Sequence, residues 1–143
     1  MEKMNYTFTI GIIVCDKDIK FLKSLISNIN ENVKGNYYIV VYNNCVEKYN
    51  YTMNFNNKNV IILPNTYKHK NARQLYARKM IVEEAYILNT DYVWFIDADD
   101  EVLAVDINNI DFYTDIVVFP YNSEGSKNYM PTNLLPGQKI ASL

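Results

Sequence analysis

YVWFIDADDEV, residues 92–102, decides the fold. Tyr92 to Ile96 is a run of β-formers, aromatic and β-branched, that reads as a buried strand. It stops abruptly at Asp97, Asp99 and Asp100, with Glu101 next. Like charges at a strand tip repel one another and resist desolvation, so something must compensate them. Solvent, a helix N-terminus and a bound cation are the candidates.

Outward from this stretch, strands and helices alternate. Tyr6 to Cys15 reads as a mostly buried strand. A helix follows through about Asn30, capped by Asp16 or Asp18, with Ile19, Leu22, Leu25, Ile26 and Ile29 at helical spacing. Gly35 and Asn36 make a turn into a second strand, Tyr37 to Tyr42. Residues 43–59 are polar and Asn-rich, with a short helix expected near 45–53. Val60 to Leu63 is a third strand, stopped by Pro64 and Asn65. Asn71 to Leu88 is the most helical segment, with Leu75, Ala77 or Arg78, Ile81, Val82, Ala85 and Leu88 recurring at steps of three and four. Tyr92 to Ile96 is then the fourth strand, and Ile116 to Phe119, closed by Pro120, a fifth.

Near-continuous apolar strands alternating with helices predict an α/β fold: a Rossmann-like, mostly parallel sheet with helices on both faces. Ligands of such sheets bind at the carboxyl ends of the strands, where strand order reverses. Asp16, Asn43, Asn44, the basic YKHK stretch and the aspartate run all fall at such ends, so these loops are expected to converge on one rim. The 143 residues suit a single domain, with a core over about 6–120 and a polar tail or arm over 121–143.

A hydrophobic fraction of 49% fits a globular chain, and a net charge of −2 gives no broad attraction to nucleic acid or to an anionic membrane. The N-terminal apolar run is too short to span a membrane and leads into Asp16-Lys17-Asp18 rather than a cleavage site, so no transmembrane segment is expected. Cys15 and Cys45 have no zinc spacing with the single histidine, His69, which reads as a surface loop residue. A reduced, cytoplasmic setting is expected.

Asp97 and Asp99, two apart in an extended or tightly turned segment, can face one ligand. Hard oxygen donors suit Mg²⁺ or Mn²⁺, and two carboxylates leave coordination positions for water and phosphate oxygens, which implies a metal–diphosphate complex. The bland alternative is a solvated turn capping a short helix at 101–109. An EF-hand is excluded because Val102 stands where its loop needs glycine. Lys68, Lys70, Arg73, Arg78 and Lys79 could neutralise phosphates near a helix N-terminus. Taken singly, each reads more simply as part of a solvated basic face.

The succession TFTIGIIVCDKDIKFLKSLISNI, YYIVVYNN, ARKMIVEEA and DYVWFIDADDEV resembles the amino-terminal half of a family-2 glycosyltransferase, over roughly residues 6–120. The resemblance implies a glycosyltransferase-A fold and metal-dependent, inverting transfer of a sugar from a nucleotide-diphosphate donor, with a UDP-sugar expected. It implies that Asp97 contacts the donor's hydroxyls and assists the metal, Asp99 binds the divalent ion, and Asp100 supports the site or touches the donor sugar. Arg78 would lie near the nucleotide or diphosphate, and Cys15 and Asp16 beside the base. Asn43 or Asn44 stands where the family carries an acidic residue, and Lys79 where it carries asparagine. Family members continue well beyond this strand to supply an acceptor pocket and a general base. Asp106, Asp111, Asp115 and Glu124 sit in no recognisable base motif, and the acceptor is not legible. The runner-up is a non-catalytic nucleotide-sugar-binding module or partner subunit, and a homo-oligomer is one source of the missing acceptor side. A haloacid-dehalogenase-like phosphatase is disfavoured, because its aspartate pair belongs on the first strand.

Overall fold

The structure, a computed structural model, describes residues 6–46, 59–65 and 72–109, with the backbone of 121–122 and 128–129. The chain divides into two compact units, 1–110 and 111–143. In the second unit, β7 (Tyr121–Asn122) and β8 (Asn128–Tyr129) pair antiparallel. The expected strand at 116–119, the bulk of the tail, Lys68, His69 and Lys70 lie outside the described residues, as does all of the helix expected near 45–53 except residues 45–46, which are not helical.

The first unit is Rossmann-like α/β. It runs β1 (Thr7–Val14), α1 (Ile19–Asn32), β2 (Val33–Lys34), β3 (Asn36–Asn43), β4 (Val60–Leu63), α2 (Gln74–Ile87), β5 (Tyr92–Asp97) and β6 (Val105–Asp106). A four-stranded sheet, ordered β4-β3-β1-β5, is parallel throughout. From β1 to β3 the chain moves one way across the sheet, and from β4 to β5 it moves the other. Right-handed crossovers in opposite directions put α1 and α2 on opposite faces. Strand order therefore reverses between β1 and β5, where Ile13 is in register with Asp97.

Each face has its own packing. On the α2 side, a Cβ at Gly11 would lie 2.8 Å from Ile81 Cγ2 and 3.0 Å from Phe95. Only glycine lets this helix seat so closely on the central strand. Val40, Tyr42, Ala77 and Ile81 form the buried cluster there. The alternate residues of β1, Phe8, Ile10, Ile12 and Val14, face the other way and are equally buried, as are Leu22, Leu25, Ile26 and Ile29 of α1.

Two local expectations are corrected. Asp18 occupies the N-cap position of α1 but makes no side-chain cap hydrogen bond. Asp16 instead accepts a hydrogen bond from the Val46 amide at 2.9 Å, tying the end of β1 to the segment after β3. No helix spans 101–109. Residues 101–104 are irregular, Val105–Asp106 pairs with β2, and Ile107–Asn109 makes one 3₁₀ turn. α2 is closed just past its end by Asn89, whose φ of 56° is left-handed, and the Thr90 amide reaches back to the Ala85 carbonyl at 3.1 Å. Among the described residues no helix is long and apolar enough to cross a membrane.

Candidate functional site

The acidic tip of β5 opens at the switch point, beside the end of β1. The chain turns there, with the Asp100 amide donating to the Asp97 carbonyl at 3.0 Å. Ala98 points inward and is buried, which leaves Asp97, Asp99 and Asp100 facing out. One carboxylate oxygen of each lies within 4.8 Å of the others. Three carboxylates so close form a ligand set for a hard divalent cation.

The helix expected over 101–109 is absent, so the triad does not cap a helix of its own. Among the described residues, no lysine or arginine forms an ion pair with it. Partial burial first, then the charges of Asp97 and Asp99, push the Asp100 carboxyl above the ordinary aspartate range. The three oxygen donors and their spacing are compatible with a hard divalent cation, and all three carboxylates are open to solvent.

That shift has a sign that can be checked. A carboxyl with a raised folded-state pKa disfavours the fold once ionised. The penalty is absent below the unfolded aspartate value of about 3.9 and grows as pH rises through the higher folded value. Asp100→Asn is therefore expected to raise the melting temperature of the metal-free protein at neutral pH and to lose that advantage on acidification. Because Asp100 is exposed and screened, the gain is about 0.5 kcal/mol or less. Thermal unfolding of both chains across the acid range measures it.

A clamp that the sequence did not announce holds the acidic turn. Asn28, in α1, accepts from the Val102 amide at 2.7 Å and donates to the Val102 carbonyl at 3.2 Å. Its side chain acts as a strand-like partner for the segment just past the triad, fixing where the turn emerges. The only signal was an amide one helical turn beyond Leu25, on the flank of the buried stripe.

The other expected site residues divide into two groups. Cys15 and Asp16 do lie at the carboxyl end of β1, by the switch point. The Cys15 carbonyl accepts from Asp18 and Ile19 at 3.0 Å each, and burial, chiefly, raises its thiol pKa and keeps it protonated. Asn43 and Asn44 stand at the carboxyl end of β3 and are buried. Asn43 accepts from the Cys45 amide at 3.1 Å. Asn44 donates to the Ala72 carbonyl at 3.0 Å and accepts from the Ala72 amide at 2.7 Å, bracing the segment that leads into α2. Arg78 is half-buried with its guanidinium over the Phe95 ring, 5.5 Å from the centroid. Its described partner is thus an aromatic face of the sheet rather than the triad.

Together these features define a Rossmann-like α/β protein with an acidic cluster at the switch point of a parallel sheet. No family model matches the chain, and no curated protein matches it in sequence.

Proposed function

We propose that this chain is a metal-dependent glycosyltransferase of the glycosyltransferase-A type, or the donor-binding half of one, acting on a nucleotide-diphosphate sugar. The observation that supports this reading most is the convergence of three carboxylates within 4.8 Å at the edge where parallel sheets bind ligands. Asp99 and Asp97 would hold Mn²⁺ or Mg²⁺, and Asp100 would border the donor sugar. The ion's chemistry when bound is neutralisation of the departing diphosphate. The Cys15–Asp18 turn, beside the triad, would line the nucleotide, with a UDP-sugar as the expected donor. A cytoplasmic setting would keep Cys15 and Cys45, which form no disulfide, reduced.

One observation favours a module that holds a donor without turnover. Asp106, the described member of the four carboxylates considered as general base, has both oxygens engaged, by the Asn108 amide at 3.0 Å and the Asn109 side chain at 2.9 Å. Sugar transfer or donor hydrolysis by the isolated chain would reject that reading.

The shared test is a thermal-shift titration with uridine or guanosine diphosphate, each with and without Mn²⁺. Stabilisation is expected only when metal and nucleotide are both present, reaching about 2.7 kcal/mol at a hundredfold excess over the dissociation constant. No metal-dependent shift with either nucleotide overturns the proposal.

A further inference from the structure

α2 carries more apolar surface than the sheet receives. Ala77, Ile81 and Ala85 face the core and are buried. On the outer side, Leu75 is 81% exposed, Val82 47% and Tyr86 87%. Steps of seven and four align these three in one stripe. Scattered exposed apolar residues need no explanation, but a continuous stripe on one helix marks a surface that something covers. Lys79 and Glu83, paired at 3.9 Å, border it.

The charges of α2 oppose its own dipole. Arg78 and Lys79 precede its midpoint, Glu83 and Glu84 follow it, and the helix has no acid in its first turn and no base in its last. An isolated helix favours the reverse arrangement. An antiparallel neighbour with the same pattern removes the conflict, since its dipole runs the other way and its acids meet these bases.

The sequence of α2 is such a neighbour to itself. In QLYARKMIVEEAYI, the exposed Lys79 and Glu83 are equidistant from Ile81 and opposite in charge, so an antiparallel copy sets the lysine of each helix against the glutamate of the other. A two-fold interface requires this, because residue i meets residue j and j meets i.

We propose that the outer face of α2 docks on the same face of a second copy of this chain, antiparallel across a two-fold axis. Val82 lies beside the axis, Leu75 packs against the partner's Tyr86, and Lys79 pairs with the partner's Glu83. The inference does not depend on nucleotide binding. A 14-residue helix is about 21 Å long. An interface of one such pair sits at the small end of specific association, so the dimer is weak, with a dissociation constant on the order of 10 μM.

Sedimentation of the full chain from micromolar to submillimolar concentration tests this. The wild type is expected to pass from monomer to dimer. K79E and E83K each place like charges across the axis and should weaken the dimer at least about tenfold. An equimolar mixture of the two should recover association as a heterodimer, because one chain then offers two acids and the other two bases. The internal Lys79–Glu83 pair is broken in both chains, so helix stability cannot produce that recovery. A wild type that stays monomeric throughout, a dimer indifferent to either charge reversal, or a mixture that fails to associate while both variants show native circular dichroism overturns the proposal.

Discussion

In an Asp99→Asn chain, uridine diphosphate with Mn²⁺ is expected to stabilise the fold by only about 0.4 kcal/mol under conditions that give the wild type about 2.7 kcal/mol. The figure follows from a hundredfold loss of affinity, the upper range for disturbing even the outer partners of a metal site, applied at a ligand excess of a hundred dissociation constants. An amide keeps an oxygen donor but loses the negative charge a hard cation needs. The metal-free variant provides the contrast. Asp99 raises the cost of ionising Asp100, so its neutralisation should leave the bare fold as stable as before or slightly more so. A residue that served the architecture would show the opposite pattern, a lower melting temperature with the ligand response intact. An undiminished metal-dependent shift in Asp99→Asn would remove the triad from the site.

How much of this was legible in the sequence depends on how local the determining force is. β1, β3, β4 and β5 fall within a residue or two of the expected limits, because a strand buried on both faces writes itself as an unbroken apolar run. The triad's position at a strand's carboxyl end followed from the same run. The face of α2 was less legible. Leu75 and Val82 recur at helical spacing just as Ile81 and Ala85 do, yet they face away from the sheet. Periodicity reports that a helix has an apolar face but not which of two faces the fold has covered. The expected caps at Asp16 and Asp18 failed because the Asp16 carboxylate found the Val46 amide, a partner 30 residues away. The clamps of Asn28 on Val102 and Asn44 on Ala72 are also long-range, and no local pattern encodes the far end of a hydrogen bond.

Asn44→Asp is expected to destabilise the protein at neutral pH by about 3–5 kcal/mol, the cost of an uncompensated buried charge and a large share of a domain's usual 5–15 kcal/mol. The position directly follows β3, and the substitution breaks the brace on the segment that leads into α2. Asn44 is 3% exposed and uses both ends of its amide on Ala72. A carboxylate could still accept from the Ala72 amide, but its second oxygen would face the Ala72 carbonyl with no proton to offer. Protonation repairs that contact. The introduced carboxyl should therefore have a raised folded-state pKa. The variant is then least stable above that value and recovers as pH falls through it toward the unfolded aspartate range. Asn44→Ala, which orphans the Ala72 amide and carbonyl without adding charge, should cost about 2–5 kcal/mol with no such pH dependence. Chemical denaturation of the three chains at neutral and acid pH separates these outcomes. If Asn44 instead read the nucleotide base, both variants would keep wild-type stability and lose only the nucleotide-dependent shift. The placement of Asn44 against Ala72, just before α2, predicts that stability fails first.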